Sequence, residues 1–211
     1  AAVYANLGSI HGQKGNKQAA LDYLNQGLKL EPENADMYLT RAKVYENLGK
    51  KDLAEKEKSI FALVEKAKIE MKNKNFSEAT KFWKKASEKV EKDTYFIQQL
   101  AFCTYKDESV SNNIALIDAL KIISQLEPED RNTTDPETLG ITGAIYKRLW
   151  INNKETVEYL DRAIEYYKRG FSINQDYYTG ENYALCLDFK SEITSDLDEK
   201  IYLKVEAKKT R

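Results

Sequence analysis

The sequence has one histidine and two cysteines among 211 residues. Metal sites and thiol- or histidine-based catalytic sites bring several such side chains together, so this scarcity leaves both without candidate residues. We therefore expect no metal ion, no other cofactor and no enzymatic activity. Cys103 and Cys186 are too few for a disulfide framework, and we expect two buried, reduced side chains. His11 stands at a repeat position that usually holds tyrosine, which favours a packing role.

The sequence also lacks an excess of either positive or negative charge, and it lacks long apolar runs. Lysine and arginine total 33 against 34 aspartate and glutamate, a net charge of −1. Nucleic-acid binding relies on an excess of cations to neutralise phosphates, so we expect no nucleic-acid partner.

No apolar run approaches the roughly 20 residues that cross a bilayer, so we expect no membrane association. The chain lacks a signal peptide, begins without methionine and opens inside a repeat, which favours a fragment of a longer cytoplasmic protein. The oligomeric state is left open.

Proline and glycine are scarce, with three and nine residues. No run alternates β-branched with polar residues, so strands are not indicated. Apolar residues instead recur at helical spacing along most of the chain. The sequence therefore predicts an all-α fold.

The first 33 residues contain aromatic, apolar and small residues at the offsets of the tetratricopeptide repeat. The set is Tyr4, Leu7, Gly8, Ala20, Leu24, Gly27 and Pro32. Helices are predicted at about 2–14 and 17–30, with Gly15 and Asn16 in the turn. Helix axes approach closely only where the contacting side chains are small, which explains the glycines and the alanine.

A second repeat follows in register. Its matching residues lie 34 positions after their equivalents: Tyr38, Ala42, Tyr45, Gly49 and Ala54. The match ends at Lys58, where an apolar residue is expected. Residues 51–73 then lack any glycine, proline or turn cluster. The simplest interpretation is one long helix that serves two repeat units, and the alternative is a junction with residues missing.

We predict a tetratricopeptide-like solenoid of about six helix pairs that becomes irregular in its C-terminal half. Residues 1–58 are predicted to form regular repeats, and residues 59–211 a divergent helical module. Within that module helices are expected at about 94–106, 113–126, 136–150, 179–190 and 197–208. Asp135 is expected to cap the third of these, with Pro136 at its first helical position.

Two segments of the last third are more distinctive than a generic repeat. They are Asp135–Gly140 with Gly143–Lys147, and Ala163–Phe171 followed by Asp176–Asn182. Together they resemble the helical central region of the apoptosis-signal-regulating kinases, often called the TRAF-binding region, and its bacterial relatives. The resemblance covers about residues 94–190. It implies a repeat-built regulatory module joined to an effector domain. No kinase glycine-rich loop or catalytic aspartate motif occurs, so kinase chemistry is not implied.

The first helices of stacked pairs are expected to line a concave groove. Several tyrosines of the last third exceed what helix pairing requires, and tyrosine is common in binding surfaces. These two considerations give the candidate partner-binding residues, which are Asn6, Ser9, Thr40, Lys43, Lys147, Arg148, Arg169, Tyr177, Tyr178 and Asn182.

The favoured function is a non-enzymatic scaffold that binds a protein or peptide partner, or the protein's own effector domain, and controls that effector. The alternative is a small-ligand sensor with an aromatic pocket between Lys147, Arg169, Tyr177 and Tyr178. A receptor for chaperone C-termini is the weaker alternative, because Ala5 and Ser9 stand where a carboxylate clamp needs lysine and asparagine.

Overall fold

The computed structural model describes residues 1–90 and 92–211. In these residues it contains eleven α-helices, a single 3₁₀ turn and no β-strand, which confirms the all-α prediction. The helices are α1 (Ala2–Gln13), α2 (Lys17–Leu30), α3 (Ala35–Asn47), α4 (Lys51–Lys72), α5 (Phe76–Ser87), α6 (Thr94–Lys106), α7 (Asn112–Ile123), α8 (Pro136–Asn152), α9 (Val157–Asn174), α10 (Tyr177–Ile193) and α11 (Leu197–Thr210).

Helices pack mainly on their neighbours in chain order, as expected of helical hairpins built from tetratricopeptide-like units. The chain divides into two compact units, residues 1–103 and 104–211. We call them the N-terminal and the C-terminal unit. The boundary predicted between regular and divergent repeats, at residues 58 and 59, falls inside α4. That boundary stays a prediction.

The single long helix is confirmed. α4 runs without interruption from Lys51 to Lys72. Its first half contacts α3, where Lys58 lies 2.7 Å from Glu46. Its second half contacts α5, where the indole N–H of Trp83 lies 3.1 Å from the sulfur of Met71. One helix therefore serves two successive partners.

Several predicted helix ends differ from the structure by two or three residues. The helix predicted at 113–126 ends at Ile123, and Ser124–Leu126 forms the 3₁₀ turn. The helix predicted to end at 150 continues to Asn152. The helix predicted at 179–190 begins at Tyr177, because the Asp176 carboxylate accepts a hydrogen bond from the Thr179 amide and fixes the start.

Glycines in the N-terminal unit allow close contact between helices. A Cβ atom on Gly8 would lie 2.6 Å from Cγ of Leu24, and one on Gly27 would lie 2.6 Å from the sulfur of Met37. Both distances are too short for real atoms. The glycines therefore let α2 pack against α1 and α3, as the repeat pattern predicts.

A buried ion pair in the same unit was not predicted. Glu57 of α4 is only 5% exposed. Arg41 of α3 reaches it through Nε at 3.0 Å and Nη2 at 2.8 Å. Arg41 also donates to Asn25 of α2 at 2.7 Å. The guanidinium thus links three helices.

The C-terminal unit begins three of its helices with a capping aspartate. The carboxylates of Asp135, Asp176 and Asp196 accept the backbone N–H three residues ahead, in α8, α10 and α11 respectively. The cap predicted at Asp135, with Pro136 next to it, is confirmed. These caps satisfy amides that have no partner within the helix.

Cys103 and Cys186 are buried and not disulfide-bonded, as predicted. His11 packs against Tyr23 with ring centroids 5.2 Å apart, in agreement with a packing role. Among the described residues, no helix combines the length and apolar character needed to cross a membrane.

Candidate binding surface in the C-terminal unit

Lys147 and Asn182 meet between α8 and α10. The Lys147 ammonium donates to Oδ1 of Asn182, and Nδ2 of Asn182 donates to the Tyr178 carbonyl at 2.7 Å. The second bond sets the direction of the amide, since its nitrogen faces the backbone and its oxygen faces the lysine. Both helices have aspartate caps, so each donor and acceptor is held on a fixed element.

Tyr167 of α9 lies beneath this pair. Its ring packs against the backbone of Gly143, where a Cβ atom would lie 3.1 Å from the ring carbons. The Lys147 ammonium is 5.8 Å from the ring centroid, and the Tyr178 ring meets it edge-on at 6.3 Å. The residue is fully buried, and its hydroxyl interacts with the side chain of Tyr178.

Arg148 extends the surface toward the end of α6. Its guanidinium lies over the Tyr105 ring at 4.7 Å from the centroid and donates to the Ala144 carbonyl at 3.2 Å. The Lys106 ammonium lies 5.8 Å from the same ring. Tyr105 therefore supports two cations, in contacts that aromatic faces favour.

We call this set of seven residues the cationic–aromatic surface. It comprises Tyr105, Lys106, Lys147, Arg148, Tyr167, Tyr178 and Asn182.

The electrostatics of the surface favour an incoming negative charge. Burial lowers the pKa of Lys147, and the neighbouring charges of Arg148 and Lys106 lower it further. Burial and Arg148 also lower the pKa of Lys106. Burial raises the pKa of Tyr167, which keeps its phenol neutral. The charges of the two lysines, which burial and neighbouring cations disfavour, would be stabilised by an anion placed beside them.

An open cleft of about 480 Å³ adjoins Arg148. Tyr105 and Lys106 form one side of it, and Ile151 and Asn152 form part of the other. Asp107 and Glu108 also line it, so the cleft has charges of both signs. It provides room beside the cations for more than a single ion.

The predicted residues of the last third separate into two groups. Lys147 and Arg148, predicted from their positions on a first helix, lie beside Tyr178 and Asn182, predicted as residues beyond the needs of helix pairing. Arg169 does not join them, because its guanidinium donates to the carbonyls of Pro128 and Asp130 at 2.8 and 2.7 Å. These bonds hold the segment between α7 and α8. The pocket predicted between Lys147, Arg169, Tyr177 and Tyr178 is therefore wrong as a grouping, although the binding role of each residue stays a prediction.

Tyr177 begins α10 and is 84% exposed. Its neighbour Tyr178 is half-exposed and packs over Gly140 of α8, where a Cβ atom would lie 3.4 Å from the tyrosine ring. The two adjacent tyrosines thus differ, since one is packed on the scaffold and the other projects into solvent.

The predicted groove residues of the N-terminal unit are partly brought together. Ser9, Thr40 and Lys43 line a second cleft of about 200 Å³ between α1 and α3. Asn6 is exposed and is not part of that lining. The Thr40 hydroxyl donates to the Asp36 carbonyl at 3.0 Å. Lys43 is the cation of this cleft, which is smaller and less aromatic than the surface of the C-terminal unit.

Tyr105, Lys106 and Tyr167 were not predicted as site residues. An aromatic and a basic residue side by side at the end of α6 could have been noticed. The place of Tyr167 beneath Lys147 could not, because it depends on packing between helices. In the described part of the chain, no group of three or more histidine, cysteine, aspartate or glutamate side chains is arranged to hold a metal ion.

A family model described as Tetratricopeptide Repeats-Sensor matches residues 75–187, more than half of the chain. The chain belongs to the Tetratricopeptide Repeats-Sensor family. The matched segment contains the whole cationic–aromatic surface of this family member. A model described as Tetratricopeptide repeat matches residues 1–34 and 35–57, which confirms the two regular repeats.

Two solved crystal structures of MamA are similar to this Tetratricopeptide Repeats-Sensor chain. The first has 18% identity and a TM-score of 0.44, covering 99% of this chain and 90% of that chain. The second has 18% identity and a TM-score of 0.43, covering 97% and 94%. No curated protein matches.

The comparisons support a tetratricopeptide repeat protein, a class that generally mediates protein–protein interactions. They do not support the resemblance to the kinase region.

Proposed function

We propose that this chain is a non-enzymatic regulatory scaffold. Its cationic–aromatic surface recognises an acidic group of a protein partner or of an effector domain elsewhere in the chain or complex. Binding there controls that effector. Repeat scaffolds offer extended surfaces for such contacts, and the sequence has no catalytic constellation that competes with this assignment.

The convergence of Lys106, Lys147 and Arg148 on one face carries the proposal. Burial and mutual repulsion act on this group, as the lowered pKa values of the two lysines indicate. A carboxylate would relieve that repulsion and accept charge-assisted hydrogen bonds. The guanidinium has five N–H donors in a planar fork, which suits a carboxylate. The aromatic rings beneath the cations supply contact area that does not move when the ligand arrives.

The form of the surface favours a protein partner. The cleft beside Arg148 is open, and Tyr177 and the half-exposed Tyr178 present further aromatic area at the start of α10. Interface hot spots combine arginine and tyrosine in this way. A partner segment could place an acidic side chain among the cations and an apolar residue against the tyrosines.

A small-ligand sensor is the second candidate, and the cleft beside Arg148 favours it. Its volume of about 480 Å³ falls in the usual range for ligand sites, roughly 300–1,000 Å³. The chaperone-tail receptor is the weakest candidate, because Lys43 is the lone cation lining the cleft of the N-terminal unit.

Calorimetric titration with a tetraglutamate peptide tests the proposal. We expect measurable binding that weakens as salt is added, since the contacts are ionic and partly exposed. The double variant Lys147→Gln and Arg148→Gln should lose about 2 kcal/mol of binding free energy, the size expected for hot-spot residues. The matched control is Lys84→Gln with Lys85→Gln, two adjacent exposed lysines on α5 that should leave binding unchanged.

The same titration separates the two candidates. Glutarate carries the carboxylates without the peptide backbone. Binding of tetraglutamate but not of glutarate supports a protein partner, and equal binding of the two favours the small-ligand sensor. If both double variants bind tetraglutamate as well as the unmodified chain does, the cationic–aromatic surface is not the recognition site.

A further inference from the structure

The last helix exposes a larger apolar surface than it buries. α11 buries Leu203 and Ala207 against its own unit. Its other large apolar residues, each between 47% and 68% exposed, are Leu197, Ile201, Tyr202 and Val205. We call these four residues the α11 stripe. A contiguous exposed apolar face of this kind marks an interaction surface, whereas single exposed apolar residues do not.

The spacing of the stripe suits contact with another helix. Leu197, Ile201 and Val205 are four residues apart and form one ridge along the helix surface. Ridges of this type from two helices interdigitate when the axes cross at about −50°, the commonest packing in globular proteins. Tyr202 lies next to the ridge and widens the face.

Charges at the two ends of the stripe identify the partner. Asp198 lies beside the N-terminal end of the stripe, whereas Lys208 and Lys209 lie beside its C-terminal end. Asp198 and Lys208 are separated by about 15 Å along the axis, given 1.5 Å per residue. The face is acidic beside its N-terminal end and basic beside its C-terminal end, with Lys204 as a further exposed cation between them. Its two ends are complementary to each other in the antiparallel orientation.

We propose that the α11 stripe binds a second copy of this chain, with the two α11 helices antiparallel about a twofold axis near residue 203. In that register Ile201 lies opposite Val205 of the second copy. Asp198 lies opposite the other copy's Lys208, and the same pair repeats on the other side of the axis. A twofold interface uses one patch on both subunits and therefore requires this self-complementarity. The proposal is independent of the function proposed above.

Sedimentation equilibrium of this chain tests the proposal. The unmodified chain should form a dimer that dissociates on dilution. Ile201→Lys should sediment as a monomer, because a charge in the middle of the ridge would be buried without a partner. Its helicity and melting temperature at low protein concentration should be unchanged, since the side chain is already exposed. Ile69→Lys is the matched control, because Ile69 is 56% exposed but lies on α4, outside the stripe.

A charge exchange tests the orientation. Lys208→Glu alone and Asp198→Lys alone should each weaken the dimer, because each places like charges opposite one another. The double variant should regain the dimer affinity of the unmodified chain. If the unmodified chain is monomeric at all concentrations, or Ile201→Lys and Ile69→Lys dimerise equally, the interface is wrong. If the double variant is weaker than both single variants, the antiparallel register is wrong.

Discussion

The first four helices of the N-terminal unit begin without a side-chain hydrogen bond to their first amides. In the C-terminal unit, α8, α10 and α11 each begin with a capping aspartate. Those four helices instead gain order from close contacts at Gly8 and Gly27 and from the ion pair between Arg41 and Glu57. Two of the capped helices, α8 and α10, carry four of the seven residues of the cationic–aromatic surface. Local capping thus fixes the helices that present most of the candidate site, while interhelical packing dominates where the repeats are regular.

The ion pair gives the largest expected effect. Arg41→Met leaves the buried Glu57 carboxylate without its cation, and the free energy of unfolding should fall by about 3 kcal/mol. Urea denaturation, monitored by circular dichroism, measures this loss in the free energy of unfolding. Arg41→Met with Glu57→Leu should regain most of the loss.

The control for this pair lies in the C-terminal unit. Lys121 and Asp118 form an exposed pair at 2.9 Å. Lys121→Met should cost no more than about 0.5 kcal/mol, as exposed pairs usually do. Equal losses for Arg41→Met and Lys121→Met would show that burial does not distinguish the two pairs.

The glycine contacts rank next. Gly8→Leu should overpack the contact between α1 and α2 and lower the free energy of unfolding by about 1–3 kcal/mol. Thermal melting and urea denaturation both report it. Gly12→Ala is the control, because its Cβ atom would lie 3.4 Å from Val44, an ordinary contact. That variant should be neutral or more stable by up to about 1 kcal/mol, since alanine favours helix. A melting curve unchanged by Gly8→Leu contradicts the packing described for α1 and α2.

The capping difference predicts a smaller effect. Asp176→Ala removes an acceptor from the Thr179 amide and should cost about 1 kcal/mol of stability. Asn16→Ala at the start of α2 removes no such bond and should change stability by less than about 0.5 kcal/mol. Hydrogen exchange of the first amides of α10 and α2 adds a local readout. Equal losses of stability for Asp176→Ala and Asn16→Ala would show that the two helix starts do not differ in capping.

The buried thiols predict a pH dependence common to both units. Burial raises the pKa of Cys103 and of Cys186 to about 12. In the unfolded chain a thiol has a pKa of about 8.5. Above that pH the unfolded state loses protons that the folded state keeps, so stability falls as pH rises toward 12.

The slope should approach about 1.4 kcal/mol per pH unit for each thiol once the pH is well above its unfolded pKa. Urea denaturation at pH 8, 9 and 10 measures it, since these values span the onset of the loss. Cys103→Ala and Cys186→Ala should each make the decline less steep, whatever they do to stability at neutral pH. Identical slopes for the variants and the unmodified chain would mean that the thiols do not cause the decline.

Most of the fold could be predicted from the sequence because helices are local. The repeat offsets placed α1 and α2 within one residue, and the absence of turn residues from 51 to 73 was enough for α4. The ends of α8 and α10 were placed less well, because the first depends on tertiary contacts and the second on a cap at Asp176 that was not recognised. Helical periodicity reports which side of a helix is apolar, not where its last turn stops.

The candidate site was only partly predictable. Lys147 and Arg148 could be identified from their positions on a first helix, and Tyr178 and Asn182 from being more than helix pairing requires. Arg169 was grouped with them because it lies near in sequence, yet its hydrogen bonds reach residues about 40 positions away. Proximity along the chain does not determine the direction of a long side chain.

The sequence by itself determined the all-α class, the two regular repeats, the long α4 and the burial of both cysteines. Each of these depends on patterns that repeat within a few residues or on the apolar character of one side chain. Tertiary structure alone decided that Arg41 and Glu57 pair inside the N-terminal unit, that Tyr105 supports two cations, and that Tyr167 lies beneath Lys147. Those arrangements depend on which helices meet and at what distance, and a side chain acquires its partner only when that packing is complete.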